Sequence, residues 1–331
     1  MSLVGQLLRF GINISNEQME VYPHLIANGG LSVAMGRGRV YYVDPANGSD
    51  SNDGKTPRRA LATIEAGYAK LVTNRHDTLV YLAGATTATL TASITWSKNY
   101  THFVGVCAPT NVSQRARIIS SAAITPLITI SGTGCIFKNL AFKQEYSHAT
   151  AGCVLVSGGR NYFENVHFAG QLGALAKAGA NAYSLKLDGA EENLFVGCTI
   201  GVDTVALTAG KPLWFDGAAV RNEFRDCNFT IASDTNTVEA VVVNDTTALD
   251  RSLIFKRCFF YNFSVNHATT LLQVFDIPTG MQTCDIILSD CYQHGFAEWA
   301  TGDRGNIWVY GAVAVAGEAG VGSSGTMIEP S

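Results

Sequence analysis

Two carboxylates carry the most suggestive spacing in this sequence. Asp188 and Asp216 each stand directly before a glycine, at equivalent places in two successive copies of a short pattern. The full column at that place reads Ser131, Ser157, Asp188, Asp216, Asn244 and Asp276. If the copies stack as adjacent strands, the two acids lie about 5 Å apart. That is the separation of a retaining glycosidase pair, and like charges so close would raise one pKa and make a general acid. The plainer account is an Asp-Gly corner whose carboxylate accepts backbone N–H groups. A lyase would need cations. Arg221, Arg225, Lys256 and Arg257, with Asp226, recur at nearby positions and predict a polar stripe along one face. Asp44, Asn47, Asp50, Asn52 and Asp53 offer hard oxygen ligands for calcium, but they lack the closing glutamate of an EF-hand. His148, His167, His267 and His294 are scattered without metal-ligand spacing. Neither a GxSxG elbow nor a phosphate-cradling loop occurs, and no cofactor is expected.

The elements that position these residues follow from an internal repeat. One pattern runs Gly134-Cys-Ile-Phe-Lys-Asn-Leu-Ala-Phe142, Arg160-Asn-Tyr-Phe-Glu-Asn-Val-His-Phe168, Glu192-Asn-Leu-Phe-Val-Gly-Cys-Thr-Ile200 and Arg221-Asn-Glu-Phe-Arg-Asp-Cys-Asn-Phe229. Ser252 to Phe260 and a weaker Asp285 to Tyr292 continue it. Its seventh position gives Leu140, Val166, Cys198, Cys227, Cys258 and Cys291, at intervals of 26, 32, 29, 31 and 33 residues. A second pattern precedes each copy, as in Val154-Leu-Val-Ser-Gly158 and Leu185-Lys-Leu-Asp-Gly189, with intervals of 26, 31, 28, 28 and 32. Both alternate apolar and polar residues, so each turn is read as two short strands with a tight corner between them. Fixed-period strands predict a parallel β-helix, with the seventh-position residues forming an inward ladder that ends in four reduced, structural thiols.

Composition agrees. The chain has 331 residues, 33 of them glycine, with 15% charged residues and a net charge of −4. Such a chain is neither a helical bundle nor disordered. It lacks the basic stripe of a nucleic-acid groove and any apolar run long enough to span a membrane. The eight cysteines form no CxxC pair. The opening MSLVGQLLRF lacks the features of a signal peptide.

Three segments are expected. Residues 1–38 read as an N-terminal arm making assembly contacts. Residues 39–310 read as the β-helix, with a cap over 39–75 whose apolar positions 61, 64, 68, 71 and 72 predict a helix across Arg59 to Asn74. Residues 311–331 read as a Gly-rich strand and tail. The cap carries a resemblance. Tyr42-Val-Asp-Pro45, Gly48 to Gly54, Thr56-Pro57 and Ala60-Leu-Ala-Thr-Ile64 resemble the N-terminal cap of right-handed parallel β-helix proteins of the pectate-lyase-like superfamily. The resemblance covers roughly residues 40 to 310. It implies the fold, which serves lyases, hydrolases, phage tailspikes and non-enzymatic virion proteins alike.

The leading expectation is a bacteriophage virion structural protein, such as a capsid decoration or cement protein. It would be a homotrimer made in the host cytoplasm, with other virion proteins such as the major capsid protein as partners. The alternative is a polysaccharide-degrading enzyme built on Asp188 and Asp216. The third is a non-catalytic adhesin binding a surface glycan, with Tyr162, Trp214 and Tyr261 stacking on sugars.

Overall fold

The computed structural model describes residues 38–120, 123–233, 235–263, 270–300 and 306–311, and the backbone of 326–327. The arm predicted for 1–38 lies outside the described residues except for Gly38, as does most of the tail predicted for 311–331. The chain winds as a parallel β-helix. One face is an eight-stranded sheet running from Ile94–Trp96 through Gly152–Val156, Tyr183–Asp188, Lys211–Asp216 and Val241–Val243 to Phe296–Ala300. A second, 17-stranded sheet wraps the other sides. Every pairing is parallel except the last, where Thr326–Met327 runs antiparallel to Ile307–Tyr310.

The repeat is in register. Val166 pairs with Leu140, and Asn228 pairs with Thr199 and Phe259, which places Cys198, Cys227 and Cys258 in one column. All four thiols of the column are buried, and each donates to a carbonyl one rung back, at Phe163, Phe195, Phe224 and Phe255. Burial pushes the Cys227 thiol well above its ordinary value, as a proton-bearing structural group requires. The fourth position stacks beside it. Phe163, Phe195 and Phe224 follow one another at 4.5 Å between ring centroids, nearly parallel.

A third column is made of amides. Asn161, Asn193 and Asn222 are buried at the second position. Each side-chain oxygen accepts the N–H of the residue one rung back, from Cys135 to Asn161 and so on to Asn222, at 2.8 to 3.0 Å. Each amide nitrogen donates to a carbonyl, of Gly132, Gly158 and Ala190. The corner where two sheets meet thus has its backbone groups satisfied from inside.

Two expectations are corrected. The nine-residue pattern is not one strand in the central rungs. Leu194–Val196 and Thr199–Leu207 are separate, broken at Gly197 with φ 58°. The same sixth position has positive φ at Asn139, Asn165, Asp226, Arg257 and Asp290. The strand breaks there at Asp226, Arg257 and Asp290, so those turns carry three strands, while Ile136–Gln144 and Tyr162–Ala169 run through it unbroken. The capping helix is also shorter than predicted. It spans Ile64–Lys70, after a 3-10 turn at Pro57–Arg59. Leu61 instead bridges to Val43 in parallel, because the Asp50 carboxylate holds the N–H groups of Ala62 and Thr63 and keeps that stretch extended. Thr63 caps the helix start through Ala66 N–H. At its end Lys98 Nζ donates to the carbonyls of Tyr68, Ala69 and Leu71. Gly67 seats the helix on the first rungs, where a Cβ would collide with Leu79 and Val43.

Candidate functional site

The outer face of the eight-stranded sheet brings Asp188 and Asp216 side by side. They are register partners, as are Lys186 and Trp214 two residues earlier. The pair does not stand bare. Lys186 Nζ lies 3.0 Å from Asp188 Oδ2 and 3.0 Å from Asp216 Oδ2. Burial alone would lower the Lys186 pKa, but its hydrogen bonds to the two carboxylates outweigh that and raise it. One ammonium therefore offsets the repulsion that a shared-proton pair would need. Asp216 Oδ1 also accepts Gly217 N–H at 3.0 Å and Asn244 Nδ2 at 3.3 Å. Gly217 itself has φ 62°, and a Cβ there would strike Asp188 Oδ1. The corner geometry and the ion triad account for the conformation of both acids.

Trp214 stands between two cations. Lys186 Nζ is 4.1 Å and Lys211 Nζ 3.8 Å from its ring centroid, and Tyr183 meets it edge-on. These cation–π contacts occupy ring surface that a sugar would otherwise use. Two other acids near this face are perturbed: burial raises the pKa of Asp276, a member of the column read above, and that of Glu239, which no repeat marks. Burial pushes the Glu239 carboxyl above its ordinary value, and the nearby charge of Asp276 adds to the shift. No period-2 pattern marks Glu239, which precedes its strand, so only the folded neighbourhood reveals it.

The predicted cation stripe is present, and its charges are spent on one another. Arg221 bridges to Glu192, Arg225 and Lys256 to Glu223, and Arg257 to Asp226. Hydrogen bonds from Arg225 hold Glu223 below the ordinary carboxylate range, and those from Arg257 do the same for Asp226. The calcium candidates point to separate tasks. Asp44 accepts Ala46 and Asn47 N–H, Asp50 caps 62–63, and Asp53 takes Lys55 N–H and Arg59. Among the described residues, no three or more His, Cys, Asp or Glu converge as a metal site.

Aromatic exposure concentrates elsewhere. Phe259 and Tyr292 are register partners at the eighth position, 39% and 56% exposed. Tyr261 and His294 pair two residues on, and Tyr261 stacks on both Phe259 and His294. This two-by-two aromatic grid was legible in the repeat. The eighth position runs Ala141, His167, Thr199, Asn228, Phe259 and Tyr292, with large aromatics only in the last two rungs. Tyr162 instead packs within the face and donates to Glu164.

These features define a class, the parallel β-helices with pectate-lyase-like neighbours. The chain is similar to the pectate lyase Pel9A, with TM-score 0.54 and 14% identity over 79% of this chain. It spans 64% of that enzyme's length. It is also similar to a pectin methylesterase mutant solved with a hexasaccharide, with TM-score 0.52, 16% identity and coverage of 78% of this chain and 80% of that one. A third likeness, to ORF18 of Geobacillus virus E2, has TM-score 0.40 and 14% identity, covering 82% of this chain and 60% of that one. No family model and no curated protein matches the sequence. At these identities the likeness shows the fold.

Proposed function

We propose that the chain is a non-catalytic structural β-helix of a bacteriophage particle, assembling as a homotrimer on the virion surface in the manner of a capsid decoration protein. The observation that carries the non-catalytic part is the Lys186 ammonium, 3.0 Å from both Asp188 and Asp216. A general acid must face the oxygen of a leaving group, whereas both carboxylates here already hold the Lys186 ammonium and Asp216 also accepts the corner N–H of Gly217. The paired stripe of Glu192, Arg221, Glu223, Arg225, Asp226, Lys256 and Arg257 is consistent with a stiff rod that has consumed its own surface charge. The grid of Phe259, Tyr261, Tyr292 and His294 supports assembly, because contiguous exposed aromatics mark contact surfaces. The test is solution mass by light scattering, followed by glycan digestion assays on the wild type and on Asp188→Asn/Asp216→Asn. A trimer without glycan cleavage is expected. Cleavage that the double substitution abolishes would overturn the reading.

Polysaccharide cleavage is the second reading, and one observation favours it. Glu239 is held toward its protonated form by burial and by the charge of Asp276, as a general acid would be. Under that reading Glu239→Gln removes cleavage while Asp188→Asn leaves it intact.

A further inference from the structure

Away from that face, a cleft of about 610 Å³ opens beside the first rungs, between residues 83–87 and 107–117. Its size is that of a small-molecule site. Gly84, Ala85 and Ala108 line it with small side chains, Thr87 adds a hydroxyl, and Arg115 and Arg117 supply two guanidinium groups. A Cβ added at Gly84 would meet nothing within 4 Å, so the space there is open.

The two arginines differ from the arginines of the central rungs. Among the described residues, neither Arg115 nor Arg117 has a carboxylate partner, whereas Lys138, Arg160, Lys186, Arg221, Arg225 and Arg257 each bridge to at least one. Arg117 is aimed. Its Nη2 donates to the Ser113 carbonyl and hydroxyl at 3.3 and 3.0 Å, while its Nε is buried without any hydrogen-bond partner. A guanidinium N–H removed from water and left unpaired is costly, and an oxyanion drawn against the open edge of the same guanidinium compensates its charge best.

The wall that carries Arg115 is held in place. Gln114 donates to the Asn165 carbonyl and side-chain oxygen, Ser113 N–H donates to His167 Nδ1, and Thr199 Oγ1 donates to the Asn111 carbonyl. These bonds tie the 107–117 segment across two later rungs, so the cleft is preformed. On the other side, Tyr81 Oη donates to the Arg117 carbonyl and accepts Ala88 N–H.

We propose that this cleft binds a small oxyanion, a phosphate or a carboxylate, with Arg117 as the half-buried donor and Arg115 as the exposed one. It stands independently of whether the chain is structural or enzymatic. Isothermal titration of the full chain at low ionic strength tests it, using inorganic phosphate in one arm and glucuronate in the other. Saturable binding at one site per chain is expected, and the tighter arm identifies the source of the anion. Arg115→Gln should weaken it about tenfold, as loss of one charge-assisted donor does. Arg115 is exposed, so that variant keeps the fold, and Ala85→Trp, also at an exposed position, should block the cleft sterically. Arg117→Gln should abolish binding, with circular dichroism confirming that it folds; if it does not fold, the other two variants decide. No saturable binding tighter than about 10 mM in either arm would overturn the proposal. Binding unchanged in both Arg115→Gln and Ala85→Trp would overturn it equally.

Discussion

The central rungs, 134–294, and the first rungs, 39–133, are built from the same parallel strands but treat their polar groups differently. In the central rungs polar side chains at several positions of the repeat meet a partner one turn away. Asn161, Asn193 and Asn222 satisfy one another's backbone, and Glu192 sits between Arg160 and Arg221. Among the described residues of the first rungs no such column forms, and side chains are spent on single tasks. Lys98 caps a helix, Asp77 is buried against Arg75 and the N–H groups of Arg39 and Val72, and Trp96 Nε1 donates to Thr101. Stacking lets a polar group be satisfied by repetition. Where the repeat lapses, each group needs its own partner; buried atoms without one occur in both regions, at Arg117 Nε in the first rungs and at Trp214 Nε1 and Thr230 Oγ1 in the central rungs.

The sharpest way to break this comparison is at the aromatic column. Phe195 lies between Phe163 and Phe224, with 4.5 Å to each centroid, and is fully buried. Phe195→Ala should cost about 4 kcal/mol, the transfer loss plus a cavity that stacked neighbours cannot fill. Urea unfolding measures it. A loss below about 1 kcal/mol would mean that the rungs close up and that the column is not a rigid stack.

How much of this was legible followed the same division. The central repeat announced its ladder because equivalent residues face equivalent environments, so Cys198, Cys227, Cys258 and Cys291 share a residue type. The register of Asp188 with Asp216 could be read for the same reason. Lys186 could not be tied to them from sequence, because nothing in a period-2 pattern says that a side chain two residues earlier will lean along the strand to reach both acids. The amide column was visible as Arg160-Asn, Glu192-Asn and Arg221-Asn, yet an Asn beside a corner also reads as a turn residue. In the first rungs there was no repeat to align. Arg115 and Arg117 acquire meaning only from a loop that crosses to Asn165, His167 and Thr199, a contact between residues far apart in sequence.

Acid should discriminate between the two regions next. His102 in the first rungs is nearly buried, and its Nδ1 accepts Ile136 N–H while Nε2 faces His76 Nδ1 at 3.3 Å. Burial first, and the His76 charge second, push its pKa down to about 4 from an ordinary 6.5, against the pull of Asp77. The folded state therefore refuses a proton that the unfolded chain accepts. Stability is full above about pH 6.5 and is lost as pH falls toward 4, by about 3 kcal/mol over that window. His167, lowered by burial as well, acts in the same direction. His102→Gln should remove the larger share of the slope, read as urea midpoints between pH 7 and 4. An unchanged slope would place the acid sensitivity in the central rungs instead.

The smallest effect tests whether repetition can tolerate a wrong residue. The sixth position of the repeat adopts positive φ in every copy, and Asn139, Asn165, Gly197, Asp226 and Asp290 are types that accept it. Arg257, with φ 49°, is the exception. Its guanidinium pairs with Asp226 at 2.7 and 2.8 Å, but both partners are about half exposed. An exposed pair contributes about 0.2–1 kcal/mol, while Asn in place of Arg relieves backbone strain of similar size. Arg257→Asn should therefore change stability by less than about 0.5 kcal/mol at moderate salt. Raising the salt should tilt the balance toward the variant, because screening weakens the ion pair and leaves the backbone gain untouched. A loss above about 1 kcal/mol that persists in high salt would show that the corner needs Arg257 for its packing, so that the charge column would not be what holds this turn.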